Sequence, residues 1–493
     1  MLTVRDLLGR RSSSDRLAII EGVAGEGVTW LEVGDQADRW RNSGLEGPVG
    51  LALSDPVAMA ANFVAAISAG VIVAPLDPEA PPAEVSARVA QLGLRALVVS
   101  PGRPGHPNLE TWYAGRHELR YAGGERAPLS ALPEEPRAVA ALMGSSGTTG
   151  SPKIIPLSEP QLVATAAGVA EALELDPSDR GYSPLPLFHI NGLVIGVLSA
   201  LVAGSTIVVD RQFSRRSFWT TVERCGITWV NLVPAILAIL GAPGSRPHVA
   251  PGVRLARSAS APLSHPVRER FEARTGIPVV ETYGMTEAAS QITANPIGAI
   301  RPGSVGRPVG VEIRAVGDRI QIRGERVTPV YWSFDGSWSS RPATDADGWL
   351  DTCDIGCIDD DGYVFLVGRD GDVINRGGEK IQPREVEEVL LSDPRVATAV
   401  VVPRPHPTVG EEPVAIVLPA SGVTASPERL ASDLARLCQN SLSRFKRPAE
   451  VMVAHSLPAG PTGKVKRNQA RAMAASPVAA AVAGSALDPP SEP

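Results

Sequence analysis

The chain has 493 residues, 44% of them hydrophobic and 20% charged, and a formal net charge of −6 at pH 7. This is the composition of a soluble globular protein with room for a large core and more than one domain, and the mild acidity argues against a nucleic-acid surface. Four cysteines, Cys225, Cys353, Cys357 and Cys438, are too few for a disulfide framework and lack the second ligand pair of a zinc site, so reduced thiols in a cytoplasmic protein are expected.

The first 21 residues mix Asp6 and Asp15 with four arginines and contain no continuous apolar run, unlike a secretory signal. From residue 16 to 136, short apolar runs alternate with helical patterns: strand Val49 to Leu53, helix Val57 to Ala69, strand Val71 to Pro75, helix Ala83 to Gln91, strand Ala96 to Val99. That rhythm predicts a parallel sheet wrapped by helices. The Pro-, Gly- and charge-rich segment Pro101 to Pro136 reads as irregular, and the apolar run Ala138 to Met143 as a strand.

That strand leads into Gly144-Ser-Ser-Gly-Thr-Thr-Gly-Ser-Pro-Lys153, which packs three glycines, five hydroxyl side chains and one lysine. Glycines let successive backbone N–H groups converge on an anion, hydroxyls add donors and the lysine adds a mobile charge, so the loop suits phosphates. It is not a Walker loop, because Lys153 follows Pro152 and no Ser or Thr follows it. Alone, it could equally be a polar turn. Only five of the 47 basic residues are lysines, and Lys153, Lys380 and Lys464 all fall in glycine-bearing loops. A chain that uses arginine so heavily is expected to keep lysine where a compact, flexible ammonium is needed.

Glu159 to Leu173 reads as a helix, and Tyr182 to Gly192 as a strand end carrying His189 between Phe188 and Ile190, by itself an ordinary core histidine. Ala58 to Pro75 and Gly192 to Val209 are long and apolar, yet both break at a glycine and turn β-branched, which predicts buried helix then buried strand rather than a membrane span. The βα pattern repeats through helix Ser217 to Cys225, strand Thr228 to Leu232, strand Val253 to Arg257, helix His265 to Thr275 and strand Pro278 to Glu281. The last runs into the polar turn Glu281-Thr-Tyr-Gly-Met-Thr-Glu287, and in open parallel sheets ligands lie beyond such strand ends. Glu287 could there hold Mg²⁺ on a triphosphate.

From Arg301 the texture changes to short strands and turns, including the acid-rich turn around Asp354, whose carboxylate could accept from both ribose hydroxyls. Gly368 and Gly371 flank Arg369 in a plausible hinge. Residues from about 372 to 472 form a smaller unit with helices Pro383 to Leu391 and Ser426 to Leu442 and strands Val396 to Val402, Glu412 to Pro419 and Glu450 to Ala454. Ala474 to Pro493, rich in Ala, Pro and Ser, is expected to be disordered.

From about Val49 to Arg467 the chain resembles the adenylate-forming superfamily of acyl-CoA synthetases, aryl-acid ligases, luciferases and peptide-synthetase adenylation domains. The resemblance rests on five stretches in order: Ser145 to Lys153, Tyr283-Gly-Met-Thr-Glu287, Gly348-Trp-Leu-Asp-Thr-Cys-Asp354, Gly368-Arg369 and Pro461-Thr-Gly-Lys464. It implies an α/β fold: a large N-terminal domain of βαβ layers with a small β-rich subdomain (1–368) and a small mobile α+β C-terminal domain (369–473). It also implies a carboxylate attacking the α-phosphate of Mg·ATP, then a thiol, usually that of CoA, displacing AMP.

By the resemblance, Ser145, Ser146, Gly147, Thr148, Thr149, Gly150 and Lys153 would hold the β- and γ-phosphates. Thr286 would hold the α-phosphate, and Glu287 with Thr148 the Mg²⁺. Ser260, Ala261 and Glu281, Thr282, Tyr283 would sandwich adenine, while Asp354 and Arg369 bind the ribose. His189 would stand by the acid. Lys464 would bridge carboxylate and α-phosphate, and a swing about Gly371 would exchange it for Arg376, Gly377, Gly378, Glu379 and Lys380, lining the thiol tunnel. The acceptor would be CoA or, alternatively, a carrier-protein phosphopantetheine; a non-catalytic nucleotide-binding homologue would have lost some of these residues.

The run Ile374 to Ile381, with Pro186-Leu-Phe-His189 and Asn295-Pro296, looks most like oxalyl-CoA synthetases and their relatives. Asn191 stands where that subgroup has a second histidine, and Ile300-Arg301 replaces another. Cys353 stands where the superfamily commonly has glycine, Gly371 where the hinge is often Asp or Lys, and the Asp that anchors an amino group in amino-acid activators is missing.

Overall fold

Apolar runs with no polar alternation need cover on both faces, and the chain supplies it by layering. The computed structural model describes residues 2–11, 15–124, 131–134, 136–144, 153–242, 252–420, 422–460 and 465–475. Among these, two nine-stranded sheets, one four-stranded and one five-stranded sheet are formed. The first large sheet runs in the order Arg307–Pro308, Thr293–Ala294, Val279–Tyr283, Leu255–Ser258, Trp229–Leu232, Arg180–Ser183, Thr206–Val209, Leu17–Glu21, Gly27–Thr29. The second is centred on Val139–Gly144, Val73–Pro75, Val49–Ala52 and Ala96–Val99.

Between the two sheets lie Pro56–Ser68, all of whose residues are buried, Glu159–Ala172, and Asn191–Leu198, also buried throughout. One apolar core joins them to both sheets, from Ile19, Ile207 and Leu255 on one side to Leu51, Val73 and Leu157 on the other. The helix starts are written locally. Asp55 caps the N–H groups of Val57 and Ala58 with Pro56 in the first turn, and Ser158 forms a capping box with Gln161.

The helix-then-strand reading of Gly192 to Val209 holds, but Asn191–Leu198 is wound as a π-helix before Ser199–Ala203 continues as α-helix and Thr206–Val209 as a buried strand. Among the described residues no helix is long and apolar enough to cross a membrane. The segment Pro101 to Pro136 departs from expectation. Inside it, Glu110–Ala114 pairs parallel with Ala96–Val99 and antiparallel with Leu119–Gly123. Thr111, Trp112 and Tyr113 are strong strand formers, and the surrounding Pro and Gly had hidden them.

From residue 301 the four-stranded sheet of Glu312–Val316, Arg319–Arg323, Leu350–Ile358 and Val364–Arg369 bears out the change of texture. Arg369, read from sequence as the start of the small domain, instead closes its last strand, and the turn Asp370–Asp372 follows. The small domain builds its own core from Ile374, Ile381, Val386, Leu390, Val401, Val417, Leu434 and Cys438, as an independent domain does. All four cysteines are free. The tail 476–493 lies outside the described residues.

Asn62, fully buried on the central helix, accepts through Oδ1 from Gln36 Nε2 and Trp40 Nε1, both at 2.8 Å, and donates to the carbonyls of Ala58 and Gly115. Asn62→Ala would leave buried donors unpaired, at a cost of about 2–4 kcal/mol. Urea denaturation should show that loss; a change below about 0.5 kcal/mol would mean the network contributes little.

Candidate active site

Four parallel strands of the first sheet end at one level, and polar side chains gather there. The register sets Asn231 beside Arg257 and Ser258 beside Glu281, with Ser183 closing the neighbouring strand. Beyond Ser258 the chain turns through Ser260, whose φ is +73°. The Ser260 hydroxyl accepts from Asn191 Nδ2 at 2.9 Å, so the first residue of the π-helix is fastened to the turn expected to carry adenine.

After Tyr283 the backbone folds back tightly. A Cβ on Gly284 would sit 1.8 Å from the Ser290 carbonyl oxygen, which explains the glycine. Thr286–Ala288 makes a 3₁₀ turn, and Ala289 and Ser290 follow with φ of +49° and +95°. Non-glycine residues in the left-handed region carry strain, which tends to collect at functional sites.

Two polar clusters flank this turn. In the first, the Tyr283 hydroxyl donates to one oxygen of Asp354, and Arg369 Nε donates to the other at 2.7 Å. Asp354 is 5% exposed. Burial, with the Asp354 charge next, pushes the Tyr283 phenol well above its ordinary range, so it stays a donor. Cys353, beside Asp354, has φ of +59° and is exposed. This accounts for glycine being the common residue there.

In the second cluster, the Lys153 ammonium lies 4.6 Å from the centre of the Tyr331 ring, and the Tyr331 hydroxyl donates to Glu287 Oε1 at 3.2 Å. Tyr331 thus links the lysine of the phosphate loop to the expected metal carboxylate. It lies in Val330–Phe334, a strand read from neither motif nor spacing, and only its place next to the strand Ile154–Ser158 reveals it. Ser145 to Gly150 and Lys464 lie outside the described residues.

His189 follows Leu187 and Phe188 into the π-helix. Its Nε2 is buried without a partner, and burial pulls the imidazole down to about 4, so it is neutral at pH 7. It can therefore offer a hydrogen bond without adding charge.

Other expected residues are not gathered. The Glu281 side chain turns away from the Asn231–Arg257 face to accept from the Leu263 N–H, with Arg384 and Arg268 near; only its backbone is left to face a nucleotide. Arg376–Lys380 forms an exposed hairpin turn with Gly377 and Gly378 at φ of +62° and +92°, and the Arg376 guanidinium donates to the carbonyls of Phe445 and Arg447 within the small domain. Gly371 needs no glycine locally: an added Cβ would meet nothing within 4 Å. The turn around it is held by ion pairs instead, Arg319 with Asp370 from the large domain and Arg467 with Asp372 from the small.

The seam between the domains is mostly polar. Arg384 donates to the carbonyls of Leu366 and Leu263, Arg270 to that of Leu391, and the His265 N–H to Glu388. A cavity of about 150 Å³ lies along it, lined by Ala261 and Pro262 from the large domain and Val465 and Arg467 from the small.

This arrangement defines an adenylate-forming enzyme, and the comparisons agree. The family model described as AMP-binding enzyme matches residues 10–332, and that of the AMP-binding enzyme C-terminal domain matches 385–464. The chain belongs to that family. A sulfoacetate–CoA ligase from Cupriavidus necator is 41% identical over 68% of this chain and 67% of its own length; an oxalate–CoA ligase from Arabidopsis thaliana is 37% identical over 66% of each. These alignments thus span about two thirds of those relatives. The solved o-succinylbenzoate coenzyme A synthetase of Bacillus subtilis in complex with ATP and magnesium ion is 27% identical, with a TM-score of 0.76 over 94% of this chain and 98% of that one.

Burial pushes the Glu281 carboxyl up to about 7 from an ordinary 4.5. The native state therefore holds this proton more tightly than the unfolded chain; the stabilisation is complete below pH 4.5 and is lost as pH rises through about 7. Relative to Glu281→Gln, the wild type should lose roughly 2–3 kcal/mol between pH 5 and 8 in urea titrations. Parallel curves for the two proteins would remove Glu281 as the source.

Proposed function

We propose that this chain joins a small carboxylic acid to coenzyme A in two steps driven by ATP. In the first, a carboxylate oxygen attacks the α-phosphorus, the bond to the β-phosphate breaks and pyrophosphate leaves. In the second, the deprotonated thiol attacks the acyl carbon and AMP departs with the bonding pair. The observation that carries this reading is the buried Asp354 carboxylate, oriented by Tyr283 and Arg369 on opposite oxygens. Each oxygen keeps a lone pair free for a ribose hydroxyl.

Acid and triphosphate repel each other, so the site must supply fixed positive charge and N–H donors away from water. Lys153 and the loop Ser145 to Gly150 would take the β- and γ-phosphates, and Thr286 the α-phosphate. The backbone of Ser260–Ala261 and Glu281–Thr282 with the Tyr283 ring would flank adenine. Glu287, with Thr148 as the sequence resemblance implies, would hold a Mg²⁺ ion, since one or two hard oxygen donors suffice when substrate phosphates complete the shell. That ion would neutralise developing phosphate charge. Neutral His189 would orient the acid without drawing its carboxylate away from phosphorus.

Lys464 would come from the small domain to bridge the two reacting anions. The polar seam and the ion-paired turn at Gly371 support a domain that exchanges positions, since charge-to-carbonyl bonds are readily traded for water. Turning would then offer Arg376 to Lys380 to the thiol. ATP, CoA and four free thiols all fit a cytoplasmic enzyme.

ATP–pyrophosphate exchange with a panel of acids should reveal the first step, and CoA tested against a phosphopantetheinyl carrier protein should identify the acceptor as CoA. Lys464→Ala is expected to slow adenylation by at least about 100-fold while slowing thioester formation from supplied acyl-adenylate far less. Asp354→Ala is expected to raise the KM for ATP about tenfold or more. No exchange with any acid, together with an unchanged rate in Lys464→Ala, would refute the assignment.

A further inference from the structure

Arg257 is the most deeply buried charged side chain among the described residues, with an exposure of 0%. Its partners are all neutral. Nη1 donates to Asn231 Oδ1 at 2.9 Å and Asn191 Oδ1 at 3.3 Å, and Nη2 reaches Gln291 Oε1 at 3.5 Å. Among the described residues no carboxylate pairs with it. Burial pulls its pKa down to about 9, which still leaves it charged at pH 7. A buried charge without a counter-ion is costly, and chains normally pair it or dispense with it.

The surroundings are donor-rich as well. Arg257 Nε and Gln291 Nε2 are buried without partners, while Asn231 Nδ2 is already spent on Ser183 and Asn191. Arg257 is placed by the register of the sheet on the face that looks toward the π-helix, since its strand neighbour Leu255 packs in the core shared with Leu193 and Val194. Asn191, two residues after His189, touches both Arg257 and the Ser260 turn. π-helical turns widen a helix and recur at functional sites.

We propose that Arg257 is a specificity-determining residue whose guanidinium binds a second anionic group on the acid, so that the substrate is a dicarboxylate or a sulfonated carboxylic acid rather than a simple monoacid. This deepens the acid–CoA ligase reading and rests on it. One carboxylate of the acid meets the α-phosphate beside the Ser260 and Thr286 turns; its other end supplies the charge that Arg257 lacks, and the unpartnered Gln291 donor serves the same group. Asn191 couples the two ends, because moving Arg257 moves the residue fastened to the adenine turn.

The test compares each charged acid with its neutral-ended counterpart in adenylate formation: malonate with monomethyl malonate, and sulfoacetate with methylsulfonylacetate. Wild-type enzyme should favour the charged member in kcat/KM by at least about 30-fold, the scale of a buried charge pair. That ratio should collapse in Arg257→Met, mainly through KM, and recover in part in Arg257→Lys, which keeps the charge but not the fork. A purely structural role would instead lower both members of each pair equally and leave the ratio standing; that result overturns the proposal. Should neither variant fold, the wild-type ratio decides alone, and a value near one overturns it. Wild-type turnover of neutral-ended acids only would reject the second-anion site and leave the ligase reading intact, whereas no turnover with any acid would reject both.

Discussion

The register of four parallel strands is the constraint on which the rest of the site depends. It aligns Asn231 with Arg257 and Ser258 with Glu281, all within two residues of the ends of their strands. A slip of one residue would turn the polar side chains to the opposite face and bury apolar ones in their place. The same register directs Arg257 and Glu281 to opposite faces, one toward the helices between the sheets and the other toward the small domain. It thereby divides the charged groups into a substrate side and a seam side.

The use of cations follows a physical distinction. Arginines hold fixed positions: Arg369 against Asp354, Arg384 on backbone carbonyls, Arg467 against Glu387 and Asp372. Planar forks with several donors suit such static contacts. Lysine is scarce in the chain, and at Lys153 over the Tyr331 ring its point charge suits a side chain that moves between an aromatic face and a phosphate.

Much of this was legible in the sequence because it depends on local order. The βα rhythm of Val49 to Val99, the helix after Ser158 and the polar turn after Tyr283 follow from patterns a few residues long. Residues joined only through the fold were not legible. Tyr331 meets Lys153 and Glu287 because its strand is laid beside Ile154, far upstream. Asn231 and Arg257 sit inside apolar runs that give no sign of a polar cluster. The direction of the Glu281 side chain is a matter of sheet face, and the π-winding of Asn191–Leu198 leaves no mark in a run that any buried helix could share. The hairpin of Glu110–Ala114 and Leu119–Gly123 was hidden by its Pro- and Gly-rich flanks.

For a ligase of this kind, one pocket at these strand ends has to hold nucleotide and acid together. A crystal structure with a non-hydrolysable acyl-adenylate analogue carrying a distal carboxylate tests it most directly. The ribose hydroxyls are expected on Asp354, the linking group near Thr286 and the acyl chain running past His189 with its far end at Arg257. Nucleotide bound elsewhere, or an acyl chain directed away from the π-helix, would contradict it.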